Sequence, residues 1–92
     1  MPNKIKTAHI LVEKYSEALI ILEKIKNGES FSDLAKKHST CPSGKRGGQL
    51  GEISANKVVR PFWKPASQLN VGEITKEPVK TEFGYHIIKR TG

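Results

Sequence analysis

Thr81-Glu82-Phe83-Gly84-Tyr85-His86-Ile87-Ile88 reads as a turn that runs into a strand. Gly84 supplies backbone freedom where the chain reverses, and Tyr85 to Ile88 are β-prone and mostly apolar. His86 sits inside that apolar run. Near the N-terminus, Ile5 to Val12 repeats the oddity, with His9 among Ala8, Ile10, Leu11 and Val12. An imidazole on a buried strand must find hydrogen-bond partners or remain a costly unpaired polar group. If the two strands are neighbours, each histidine can satisfy the other. The rest of the chain has to be consistent with that pairing.

Working outward, Ile5 to Val12 carries apolar residues at both parities, which predicts a strand covered on both faces. After Glu13-Lys14-Tyr15, Ser16 is a suitable N-cap, and Glu17 favours the positive end of a helix. Ala18, Ile21, Leu22 and Ile25 follow at helical spacing, and Asn27-Gly28 stops that helix. Ser30-Phe31-Ser32-Asp33 resembles a capping box and opens a shorter helix that buries Phe31, Leu34 and Ala35. His38 near its end reads as a surface residue. Cys41 to Gly51 holds four glycines and a proline, which predicts a long functional loop without helix. It does not match a phosphate-binding loop, since GxxxxGK[ST] is absent. Gln49 to Ser54 reads as a short strand. Lys57 to Leu69 reads as one or two helical turns broken by Pro61 and Pro65. Asn70 to Glu73 is a turn, Ile74 to Val79 a third strand, and Thr81 onward the hairpin return. The order β-α-α-β-α-β-β gives an α+β domain around a small antiparallel sheet.

Ninety-two residues suffice for one domain, residues 1-92. No apolar run is long enough to cross a membrane, and no secretory h-region precedes the first strand. The one cysteine, Cys41, cannot form an internal disulfide, which fits a reducing, cytoplasmic setting. Sixteen basic against nine acidic residues give a net charge of +7. The basic residues fall in spread pairs such as Lys36/Lys37, Lys45/Arg46 and Lys89/Arg90. They read as a soluble basic surface, or as weak contact with anionic phospholipid headgroups or nucleic acid, including peripheral attachment at a membrane surface. No aromatics interleave with them, which argues against a single-strand stacking platform.

Six segments together resemble the parvulin-type peptidyl-prolyl cis/trans isomerases in order and spacing. They are Ala8-His9-Ile10-Leu11-Val12; Phe31-Ser32-Asp33-Leu34-Ala35; Ser39 to Cys41 with Gly47-Gly48-Gln49-Leu50-Gly51; Pro61-Phe62; Gly72-Glu73-Ile74; and Phe83-Gly84-Tyr85-His86-Ile87-Ile88. The resemblance spans about Ile5 to Thr91. It implies the parvulin, FKBP-like fold: a four-stranded antiparallel sheet wrapped by three to four helices, with the first and last strands adjacent. It implies a rotamase that isomerises X-Pro bonds in proline-containing peptides or unfolded protein segments. With no second binding module at either end it reads as a stand-alone catalytic domain, expected to be a monomer with no obligate oligomer, and no metal or other cofactor is expected. Substrate proline would sit among Leu50, Val58 and Phe62, with Phe83 at the edge and Gln49 close by. His9, His86 and Thr81 would form a buried network under the pocket, and the Cys41 loop would fold over it. The connection after the first strand is short and carries Glu13, where phospho-directed members have a longer basic loop, so no preference for phosphoserine-proline is expected. Cys41 reads as a nucleophile, a polarising neighbour or an inert thiol. The rival functions are a binding module for unfolded segments and a charge-driven nucleic-acid binder. The second gives no reason for paired strand histidines.

Overall fold

The computed structural model describes residues 3–92. Four strands, β1 (Lys4–Val12), β2 (Gln49–Ser54), β3 (Val79–Thr81) and β4 (Gly84–Arg90), form one antiparallel sheet in the order β2-β1-β4-β3. The first and last strands are therefore central neighbours, with Leu11 opposite His86 and His9 opposite Ile88. Gly84 makes the turn into β4 at φ +136°, and a Cβ there would come within 2.6 Å of the Val12 carbonyl oxygen. Only glycine fits that approach.

Period-two alternation divides β1 and β4 between two cores. Ala8, Ile10, Val12 and Ile87 pack under α1 (Tyr15–Lys26) and α2 (Phe31–His38), against Ala18, Ile21, Leu22, Phe31, Leu34 and Ala35. Ile5 and Ile88 face the other way and pack with Ile53 against Phe62 and Ala66 of α3 (Arg60–Ser67). The strand covered on both faces is thus observed, and so is the Ser30 cap, whose hydroxyl accepts from the Asp33 N–H at 3.3 Å.

The structure corrects the sequence reading at five places. α1 starts at Tyr15 with Lys14 as its N-cap, so Ser16 lies inside the helix and caps nothing. Tyr15 meets Tyr85 edge-on at 5.5 Å, a tertiary contact that local propensity cannot register. Pro42–Arg46 forms a short 3-10 helix within the glycine-rich loop, because i→i+3 bonds need only a few residues. Lys57 to Leu69 contains one eight-residue helix that includes both prolines. Pro61 lies in its first turn, where the missing N–H has no acceptor to lose, so only Pro65 removes an interior bond. The third strand is three residues long, and Ile74 contributes only an isolated bridge to Lys89. Pro78, which lacks an N–H, stands immediately before it. His38 is half-buried rather than on the surface, and its Nε2 is buried without a partner.

Candidate active site

On the α3 side of the sheet the two strand histidines meet. His9 Nδ1 and His86 Nδ1 are 2.9 Å apart, and the rings stack with centroids 5.1 Å apart. Both residues are buried. His9 Nε2 lies 3.2 Å from Ser43 Oγ, and His86 Nε2 lies 2.7 Å from Thr81 Oγ1. The line continues at both ends. The Ser43 hydroxyl donates to Cys41 Sγ at 3.2 Å, and the Phe83 backbone N–H donates to Thr81 Oγ1 at 3.1 Å.

One proton assignment accommodates the whole line. The Phe83 N–H donates to Thr81, Thr81 O–H to His86 Nε2, His86 Nδ1–H to His9 Nδ1, His9 Nε2–H to Ser43, and Ser43 O–H to Cys41. Reversing the direction leaves the Thr81 hydroxyl proton without an acceptor along the line. Both imidazoles are neutral in this arrangement. Burial, and then the neighbouring His86, lowers His9 from 6.5 to about 4. Burial lowers His86 to about 4 as well.

The loop that supplies Cys41 and Ser43 is tied to β1. Thr40 donates both its backbone N–H, at 2.8 Å, and its hydroxyl, at 3.2 Å, to the Leu11 carbonyl. The Leu11 N–H donates to Ser39 Oγ at 3.1 Å, and the His9 N–H to the Gly48 carbonyl at 2.9 Å. Gly48 passes so close to the His9 carbonyl that no side chain fits there.

Above this line opens a cavity of about 480 Å³, lined mainly by apolar side chains. Leu50, Val58, Val59 and Phe62 line it with Leu11, Thr40, Cys41 and Pro42, and the buried His9 and His86 form its floor; Phe83 and Lys57 complete the lining. Phe62 is 3% exposed. It meets His9 and His86 edge-on, at 5.6 and 5.1 Å, so much of its ring holds the histidines rather than facing the opening. Phe83, by contrast, is 61% exposed at the edge.

The fold thus brings together His9, Cys41, Thr81 and His86, and places Leu50, Val58, Phe62 and Phe83 around the cavity. Thr81 stands behind the lining, bonded to His86. Gln49 is not brought in: it is exposed and outside the lining, since β2 directs its neighbour Leu50 to the cavity instead. Ser43 and Lys57 were missed. Ser43 had a signal, because two imidazoles joined by one bond leave two ring nitrogens, and Thr81 can serve only one.

Residues 3–92 match the rotamase family described as the PPIC-type PPIase domain. Foldase protein PrsA of Bacillus subtilis is 44% identical over 92 residues, covering 99% of this chain and 31% of that protein. The chain spans about a third of the length of the curated relatives it matches. The crystal structure of PrsA from Bacillus subtilis superposes with a TM-score of 0.94 at 44% identity, over 98% of this chain and 35% of that one. The solution structure of NmPin, the parvulin of Nitrosopumilus maritimus, superposes with a TM-score of 0.87 at 54% identity, over 100% of this chain and 99% of that one.

Proposed function

The chain belongs to the PPIC-type family of parvulin peptidyl-prolyl cis/trans isomerases, and from that premise we propose that it rotates X-Pro bonds in polypeptides and so assists folding. Amide resonance sets a barrier of ~18–20 kcal/mol for peptide-bond rotation, and uncatalysed X-Pro exchange takes tens of seconds or more. No bond has to break. The site has to hold the proline ring, exclude water and favour the twisted amide, whose charge distribution differs from that of the planar form.

The observation that carries this reading is the use of all four ring nitrogens of His9 and His86. Each is hydrogen-bonded within the fold, directly beneath an apolar cavity. Such a floor has no free base to offer a substrate. It suits rotation by positioning and fixed dipoles rather than proton transfer. Leu50, Val58 and Phe62 take the proline ring, and Phe83 closes its edge. Under the assignment above, the Cys41 thiol proton has no partner along the line and is a polarising neighbour for the rotating carbonyl. Two-dimensional exchange NMR on X-Pro peptides tests the proposal. Faster cis/trans exchange in the presence of the protein supports it. Peptides that bind without faster exchange would leave only the second reading, capture of unfolded segments, which the exposed Phe83 beside the cavity favours.

Several finer points belong to the same proposal. The two-residue connection Glu13-Lys14 between β1 and α1 supports an isomerase without phosphoserine specificity. The net charge of +7 supports weak contact with anionic surfaces, either phospholipid headgroups or nucleic acid. The domain acts as a monomer, and the single free thiol fits a cytoplasmic setting.

A further inference from the structure

Lys57 is the one charged side chain among the cavity-lining residues that is not part of the hydrogen-bonded floor. It directly precedes Val58 and Val59, which form the apolar wall. Its backbone N–H is fixed to the Ser54 carbonyl at 3.0 Å, so the end of β2 sets where the side chain starts. Its apolar stem can lie along that wall while the ammonium stays in water.

Basic residues follow lining positions at two places along the chain. Arg60 opens α3 just past Val59, and Lys45 and Arg46 end the 3-10 helix that starts at Pro42, after Cys41. All three are exposed. Glu82, in the turn beside Phe83, is the acidic residue next to a lining position. Among the described residues the one ion pair joins Lys4 to Glu52 at 3.8 Å. Lys57 is therefore an unpaired cation at the opening of an otherwise apolar site. Its ammonium is free to meet a charge on a peptide seated in the cavity.

We propose that Lys57 makes this site selective for prolines flanked by an acidic residue. This rests on the isomerase reading of the cavity and adds the substrate class to it. The selection is by point charge. A lysine offers a mobile ammonium rather than the bidentate fork that recognises phosphate geometry, so the preference grades with charge and is lost with salt. A single screened ion pair in water yields a ratio of about fivefold.

The test compares matched proline peptides with Glu, Ala or Lys beside the proline. Exchange NMR gives kcat/KM, and chemical-shift titration gives Kd, which reads selection even without turnover. The expected Glu-to-Ala ratio is about fivefold at low salt, falling towards one at 1 M salt, where the screening length is ~3 Å. Lys57→Met should abolish the ratio within that variant, and Lys57→Glu should invert it in favour of the Lys peptide. Equal Kd and kcat/KM for all three peptides would overturn the proposal while leaving the isomerase intact. A Glu preference that survives Lys57→Glu would also overturn it, assigning the effect to Lys45, Arg46 or Arg60. Binding with the predicted ratios but no acceleration of any peptide would retain the charge selection and reject the isomerase reading.

Discussion

On the side of the sheet that faces α1 and α2, β1 and β4 contribute Ala8, Ile10, Val12 and Ile87, each at most 1% exposed. On the side that faces α3, the same two strands contribute His9 and His86, nearly as deeply buried. The first face is held by apolar packing, which has no preferred direction and needs only the right volumes. The second adds to an apolar cluster of Ile5, Ile53, Phe62, Ala66 and Ile88 a line of hydrogen bonds, each of which needs a partner at a definite place. Ser43 comes from one loop and Thr81 from another strand to supply those places. Packing on the first face therefore tolerates exchange among residues of similar volume, whereas each bond of the line depends on one particular partner.

The largest effect is expected on the packed face. Ile87→Ala should cost ~2–5 kcal/mol in chemical denaturation, the range for a large buried aliphatic cut to alanine. A loss below ~1 kcal/mol would show that this face is not close-packed. On the hydrogen-bonded face, His9→Ala and His86→Ala should each cost ~1–3 kcal/mol, because the remaining imidazole is left buried without its partner. Replacing both with leucine should recover part of that loss. Ser43 would keep Cys41, and Thr81 would keep the Phe83 N–H. A double variant that lost the sum of the two single changes would show that the pair is not coupled.

Acid should separate the faces further. The folded histidines titrate near 4 and the unfolded ones near 6.5. Between these values the unfolded chain binds more protons, so stability is full above pH 6.5 and falls as pH drops towards 4. The double-leucine variant should lose that part of the slope, as measured by denaturation at pH 7.5, 5.5 and 4.5. An unchanged slope would place the acid sensitivity elsewhere. Phe62→Leu should keep the fold and lower the exchange rate by an order of magnitude or more, at ~1.4 kcal/mol per tenfold. Exchange at the parent rate in a folded Phe62→Leu protein would place the proline pocket elsewhere. The smallest effect is expected at Cys41. Cys41→Ala should leave exchange within a few-fold, and a loss of ~10³-fold or more would make the thiol a nucleophile.

The contrast between the faces also governs what could be read from the sequence. Apolar residues at both parities of Ile5 to Val12 point to a strand covered on both faces, and an imidazole inside each of two apolar strands gives a reason for those strands to meet. These are local patterns with one physical reading. Ser43 is a serine in a glycine-rich loop, where nothing local distinguishes it. It becomes visible only when all four imidazole nitrogens are assigned partners. Lys57 looked like any surface lysine until the cavity placed it at an opening. The buried Nε2 of His38 has no signal at all, since the helix-end pattern around it is that of an exposed residue. Gln49 was carried along by its neighbours, and strand parity removed it.

Whether the two strand histidines are neutral structural partners and not an acid or base is read from the protonation state of their rings. Long-range nitrogen–proton correlation NMR on the labelled protein reads each ring nitrogen separately. At pH 7 two neutral imidazoles are expected, His9 carrying its proton on Nε2 and His86 on Nδ1, with both signals holding to about pH 5 before titrating near 4. An imidazolium at either position between pH 6 and 7, matched by a bell-shaped rate profile over the same range, would contradict it and make that histidine a general acid or base.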